Sequence, residues 1–441
     1  MEEGKARRAK SKLGTEFSAL TISDSAGIDI EELSEFVHEI AVGTTAKRIA
    51  IVAPDYSRLA SQSGMIANLF LRHFGDRISA ILPALGTHVP MSSTEKQEMF
   101  SEFTSTHFID HDFIGGVRHI GTVPKGEVEA VTGIDDLFDL PFYVNSTLVD
   151  DTFDLIVSVG QLLPHEVIGI SGGSKNILVG LGGRPTIEVS HYISALWGIE
   201  RTLGNPDTPL RRLLNRGLEM LLDTSPPILF INTVLNPNRP ASKQLVHVGA
   251  ALVDREQPHD VTFSQAAAVA AEGNVYTLGK KYDEVIAYLE PKVYRSTWIG
   301  NKAIYRSRLL IADGARLRIL APGVDRLGED PSIDSVLRHY GYHGHKSISK
   351  MKADGTLNEN LAAAAHILHS STFDRFTVEY AAPKLGQKEV ESAGFTYDKS
   401  LDETNEEASP DRGSTEPDVL FETDDEGRLH IYHPGVALWK A

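Results

Sequence analysis

Short apolar runs alternate along the chain with stretches whose apolar positions recur at helical spacing, the pattern of strands followed by crossover helices. RIAIVAP at Arg48–Pro54 precedes a helical stretch at Ser61–Phe74. ISAILPAL at Ile78–Leu85 precedes Ser92–Phe103, where Ser92 and Glu95 have the spacing of a capping box. A third run, Asp154–Val159, feeds a glycine-rich segment. Continuous apolar strands alternating with helices predict a parallel sheet covered on both faces. After a helix that Pro226-Pro227 breaks, strand-like runs at Ile228–Leu235, Leu245–Leu252, Val285–Leu289 and Leu317–Leu320 alternate with helical stretches at Phe263–Glu272, Lys302–Ile311 and Ser332–Tyr340. A further helix is expected over 357–371 and a strand over 375–383.

The fold class expected is α/β, with two α/β domains, largely parallel sheets and an interdomain active-site cleft. Residues 1–20 are polar and read as a flexible N-terminus, 21–225 as the domain carrying the chemical motifs, and 226–441 as a second α/β domain. Within the latter, 398–418 is an acidic surface loop, and VLFETDDEGRLHIYHPGVAL reads as a hairpin.

Composition narrows the functions. A length of 441 residues suits two cores. The net charge of −17 disfavours nucleic acid and anionic membranes, both of which need clustered cations. The absence of cysteine removes thiolate zinc sites, iron–sulfur clusters and a thiol nucleophile. No apolar run is long enough to span a membrane, and MEEGKARRAKSKLG lacks the apolar core of a secretion signal, so the cytoplasm is the expected location.

The polar clusters that follow the strands carry the chemistry. After the first comes Asp55-Tyr-Ser-Arg58, after the second Gly86-Thr-His88, and after the third Pro164-His165 and Ser171-Gly-Gly-Ser-Lys175. In an open parallel sheet these C-terminal ends face one crevice, which is where ligands bind. His88, His165 and His191 are candidates for proton transfer or metal binding, although any one of them could be a satisfied structural histidine. Gly172, Gly173 and Ser174 let backbone amides approach an anion, and Lys175 adds charge or a nucleophilic amine. The lysine is followed by Asn176, so the spacing is not that of a nucleotide P-loop. Asp55 is spaced to orient Arg58 towards a substrate carboxylate, and a surface ion pair would look the same.

Asp55-Tyr-Ser-Arg58, Ala84-Leu-Gly-Thr-His88, Pro164-His165 leading into Gly169-Ile-Ser-Gly-Gly-Ser-Lys175, and the spaced His191 together resemble the nickel-pincer lactate racemases and their 2-hydroxyacid racemase and epimerase relatives. The resemblance implies a nickel-pincer nucleotide, a pyridinium mononucleotide with thioamide and thioacid arms, joined covalently to Lys175 and with His191 as the protein's nickel ligand. It implies isomerisation at C2 of a 2-hydroxyacid by proton-coupled hydride transfer through a 2-keto acid. His88 and His165 would be the acid/base pair and Arg58 the carboxylate anchor. It also implies cofactor-biosynthesis proteins as loading partners; the oligomeric state is left open.

The second half departs from the family. Where lactate racemases carry Tyr-Gln-x-x-Lys, this chain reads Tyr294-Arg-Ser-Thr-Trp298. Tyr294, Arg295, Trp298 and Lys302 are therefore the candidate substrate contacts, with Arg295 or Lys302 as the replacement cation and the identity of the 2-hydroxyacid open. Arg306 and Arg308 could suit a larger or more polar 2-hydroxyacid, and read more simply as solvated charges. His343 and His345 alternate with glycine in what reads as an exposed loop. Two other classes fit the same residues: a zinc or other divalent-metal hydrolase ligated by His88, His165 and His191, and a non-catalytic cofactor or phosphate-ligand binding protein using the glycine loop.

Overall fold

The computed structural model describes residues 9–11, 19–236, 242–402, 420–432, 434–435 and 438–441. Most of the expected flexible N-terminus and of the acidic loop 398–418 lies outside the described residues. The chain divides into two units, residues 1–190 with 205–273, and residues 191–204 with 274–441.

In chain order the strands of the first unit are β1 (Ala9–Ser11), β2 (Ala19–Ser23), β3 (Ile49–Pro54), β4 (Ile78–Ala84), β5 (Val117–Val123), β6 (Leu140–Asn145), β7 (Leu155–Gln161), β8 (Pro164–His165), β9 (Gly169–Ile170), β10 (Ile228–Leu235) and β11 (Leu245–Val253). Seven of them form one sheet in the order β1-β2-β11-β10-β7-β3-β4. From β10 to β4 neighbouring strands run parallel, while β11, β2 and β1 add antiparallel pairings at the other side. Every residue of β3 from Ile49 to Ala53 is buried, as expected of a central parallel strand with helices on both faces.

Register decides where the polar clusters end up. Pro54 of β3 lies opposite Ala84 of β4, Val52 opposite Ser158 of β7, and Gln161 opposite Thr233 of β10. The C-terminal ends of four parallel strands therefore finish side by side. Asp55, Gly86, Pro164 and Asn232 all leave or lie at this edge, the arrangement expected from the alternating pattern.

Two features differ from the sequence reading. First, β10 and β11 join the first sheet, so the boundary expected at residue 225 falls inside the first unit. Pro226-Pro227 ends a helix as expected, yet Ile228–Leu235 returns to pair with β7. Second, β5 and β6 form a separate antiparallel pair that the reading omitted; the strand Val117–Val123 is mostly half-exposed and has no continuous apolar run.

The helix Pro209–Leu222 buries Leu210, Leu213, Leu214, Leu218 and Leu221 at helical spacing, with Thr208 capping its start. Gly217 sits in its interior because the Phe142 ring of β6 occupies the side-chain space: a Cβ there would lie 2.5 Å from Phe142 Cε1. Alanine would gain about 1 kcal/mol of helix propensity. The rigid ring cannot yield, so Gly217→Ala is expected to lower stability by about 1–3 kcal/mol net, read as a lower urea midpoint with an unchanged slope.

The second unit is built on a six-stranded sheet containing Tyr282–Tyr288, Ile311–Leu320, Thr377–Ala381, Thr396–Tyr397, Leu429–Ile431 and Phe421–Thr423. All pairs are parallel except the hairpin Phe421–Thr423 with Leu429–Ile431, which was expected from the sequence. The helix starting at Lys302 ends at Ser307, and Ile311 opens a strand, so the helix is shorter than expected. Arg306 and Arg308 are not solvated. Both are buried, and Arg308 donates through Nε to Glu200 at 2.9 Å and through Nη1 to the carbonyls of His369 and Ser371. That carboxylate and those carbonyls are what make a buried guanidinium tolerable. His343 is exposed, and His345, also exposed, begins the helix His345–Ala353.

Candidate active site

Asp55 caps the end of β3, ahead of the 3-10 turn Tyr56–Ser61. Its carboxylate is buried and takes two side-chain hydrogen bonds, from His88 Nδ1 at 2.7 Å and from Ser57 Oγ at 2.5 Å. Burial pushes the carboxyl up, but the His88 and Ser57 bonds and the charge of Arg58 outweigh it and leave it below the ordinary carboxylate range. Asp55 is therefore ionised at neutral pH. It feels the charge of Arg58, and it also orients His88, which three-residue spacing alone does not reveal.

An ionised carboxylate at Nδ1 fixes the tautomer of His88. The proton sits on Nδ1, and Nε2 is the lone-pair nitrogen of a ring whose side chain is 61% exposed. His88 is held on a turn whose Gly86 has φ +59 and whose Gly86 N–H donates to Gly180 O at 2.8 Å.

His165 is set the opposite way. It is buried at the end of β8, and its Nδ1 accepts the Val167 N–H at 3.1 Å. The Glu166 carboxylate lies 3.9 Å from the same nitrogen, too far for a hydrogen bond. The backbone donor decides: Nδ1 carries the lone pair, and Nε2 of the neutral ring carries the proton.

Lys175 opens the short helix Ser174–Leu178 after two glycines with positive φ, Gly172 at +79 and Gly173 at +58. The loop is tightly packed, since a Cβ on Gly172 would lie 2.7 Å from Leu162 Cδ1. Ser174 Oγ donates to Asn215 Oδ1 at 2.9 Å, so this serine holds the helix start against the helix Pro209–Leu222. The half-buried Lys175 amine is pushed down to about 8, first by burial and then by the charge of Arg58; Glu166 and Asp55 partly oppose this and Arg211 reinforces it. Asp55, Arg58, Glu166, Lys175 and Arg211 thus share one electrostatic neighbourhood at the strand ends, with His88 bonded to Asp55. The sequence reading omitted Glu166 and Arg211. Glu166 stands next to His165, but Arg211 belongs to a distant helix and left no local signal.

The remaining candidates fall in the second unit. His191 is half-buried on the helix Arg184–Trp197. Tyr294 is half-buried, and burial pushes its hydroxyl up. Tyr294 and Lys302 converge on Gly435, where an added Cβ would lie 2.5 Å from Tyr294 Oη and 3.7 Å from Lys302 Cδ. Arg295 is exposed, with Asp325 at 3.5 Å. Trp298 packs edge-on against His366 with ring centroids 4.1 Å apart. Among the described residues no three or more His, Asp or Glu side chains gather to hold a metal ion, and a divalent-metal hydrolase would need such a set. Nor is any helix among them long and apolar enough to cross a membrane.

Residues 28–201 match the family model described as the lactate racemase N-terminal domain. The chain also superposes on a protein from Thermotoga maritima with a TM-score of 0.77 and 22% identity, over 95% of this chain and 99% of that one. Against the lactate racemase apoprotein from Thermoanaerobacterium thermosaccharolyticum the TM-score is 0.66 and the identity 19%, over 94% of this chain and 90% of that one. At these identities the two likenesses speak to fold. No curated protein sequence matches the chain.

Proposed function

We propose, from the match of residues 28–201 to the lactate racemase N-terminal domain, that the chain is a racemase or epimerase of a 2-hydroxyacid, using a nickel-pincer nucleotide attached at Lys175. The observation that carries the reading is the pair of histidines held in opposite tautomers at the strand ends. His88 offers a lone pair at Nε2, and His165 offers a hydrogen-bond donor at the same position.

The residues present fit the group the family implies. Attachment through a thioamide needs a neutral amine. With its midpoint at about 8, on the order of a tenth of Lys175 is neutral at pH 7, against a few in ten thousand for an ordinary lysine at about 10.4. The chain has no cysteine, so sulfur donors would come from the cofactor and His191 would supply the protein's nitrogen ligand. When bound, the cofactor supplies a reversible hydride acceptor for C2.

Everything else is the work of the side chains. Arg58 holds the substrate carboxylate through its fork. His88 Nε2 removes the C2 hydroxyl proton, and Asp55 stabilises the imidazolium that forms. His165 keeps its Nε2–H and hydrogen-bonds the C2 oxygen, and the His88 imidazolium returns the proton to that oxygen after C2 has inverted. The cytoplasm and a small-molecule 2-hydroxyacid partner belong to this reading, as do loading proteins for the cofactor. The substrate contacts would be Tyr294, Arg295, Trp298 and Lys302.

The test is a panel of C2-deuterated 2-hydroxyacids given to cofactor-loaded protein in ordinary water. Inversion with the deuterium kept at C2 is expected for at least one acid, together with bound nickel. Loss of the label to solvent would mean proton abstraction from carbon and would sink the reading, as would inversion by protein free of nickel.

A further inference from the structure

The loop Gly169–Gly173, which delivers Lys175, is held from one side by a single cation. Arg211, in the first turn of the helix Pro209–Leu222, is 5% exposed. Its Nη1 donates to Gly172 O at 2.9 Å and its Nη2 to Ile170 O, so one guanidinium grips alternate carbonyls of the loop. The guanidinium carbon lies 4.3 Å from the centroid of the Phe263 ring, which closes the other face. Gly173 rests directly on this stack, with a notional Cβ 3.1 Å from Phe263 Cδ2 and 3.3 Å from Arg211 Nη1.

The charge is compensated only at a distance. Asp260 is the carboxylate that acts on Arg211, but its own bonds go elsewhere, to Asn232 Nδ2 at 2.7 Å, Thr262 Oγ1 at 2.9 Å and the Thr262 and Phe263 amides. Burial pushes Arg211 down to about 9, still charged at neutral pH. A lysine could supply the charge but not the planar two-carbonyl grip.

We propose that Arg211 is a positioning residue for Lys175, clamping the loop Gly169–Gly173 so that the amine is presented in one place beside Arg58 and Asp55. Its charge also acts on the amine, in the same direction as that of Arg58 and against those of Glu166 and Asp55. The inference rests on Lys175 being the attachment point.

The experiment uses the full chain before cofactor loading. Lys175 is labelled with acetic anhydride across a pH series and read by peptide mass spectrometry, and amide hydrogen exchange is followed over residues 169–176, in wild type, Arg211→Met and Arg211→Lys. In Arg211→Met the labelling midpoint of Lys175 should rise by a few tenths of a pH unit, about a twofold loss of reactivity at neutral pH, and the loop amides should exchange faster. Arg211→Lys should also loosen the loop but keep the midpoint near that of wild type, and Arg211→Gln, which removes the charge and keeps an N–H donor, stands in for the methionine variant if that one fails to fold. Faster exchange with unchanged labelling in both variants would mean that Arg211 holds the loop without acting on the amine, and overturns the proposal; so does no change in either readout. A wild-type chain that labels as expected but never acquires an adduct on loading would instead overturn the assigned function, leaving the Arg211 result standing.

Discussion

Lys175→Ala is expected to purify as a folded chain that acquires no covalent cofactor and inverts no 2-hydroxyacid. The fold should tolerate the change because the amine sits near two cations, Arg58 and Arg211, and its protonated form is disfavoured there. Lys175→Arg separates charge from nucleophilicity: it keeps a cation at the site and should fail equally. Wild-type loading should depend on pH in a definite sense. The folded midpoint lies below the ordinary lysine value, so the reactive neutral amine grows as pH rises towards about 8. At limiting cofactor the initial rate of adduct formation should increase roughly fifty-fold between pH 6 and pH 8. Intact-protein mass spectrometry reads both results, and an active protein with unmodified Lys175 would refute the attachment.

The second large effect is expected at Asp55. Asp55→Asn preserves shape but removes the charge that keeps the His88 proton on Nδ1 and stabilises the imidazolium. Inversion should slow by a factor on the order of 10² to 10⁴, while nickel content and the Lys175 adduct stay at wild-type levels. The equilibrium between two enantiomers is set by the substrate alone. The loss in kcat/KM must therefore be identical in both directions, although only one histidine has lost its partner. Unequal losses, measured from the two enantiomers separately, would show that the assay follows something other than a reversible inversion. A loss of less than about threefold would remove Asp55 from the proton path.

The strand ends were legible in the sequence because a strand buried on both faces must be apolar throughout, and a polar residue marks where it stops. Asp55, His88 and His165 could be placed at one edge on that ground alone. Their partners could not. The bond between Asp55 and His88 depends on Pro54 and Ala84 being in register across two parallel strands, and no local pattern encodes that pairing. Arg211 escaped notice for the same reason: it reads as one of several arginines on an amphipathic helix until the carbonyls of Ile170 and Gly172 are brought to it. Arg308 was misread because a buried guanidinium is recognisable only by its acceptors, here Glu200 and two carbonyls more than sixty residues away in sequence. The boundary error near residue 225 has a similar origin. Proline ends a helix but does not say which sheet receives the next strand.

The unequal exposure of the two histidines has a kinetic side. The proton that His88 lifts from the C2 hydroxyl would wait on that ring until it is given back. His88, with a side chain 61% exposed, can trade that proton with bulk water during the wait, whereas His165, 7% exposed, holds its Nε2–H away from solvent.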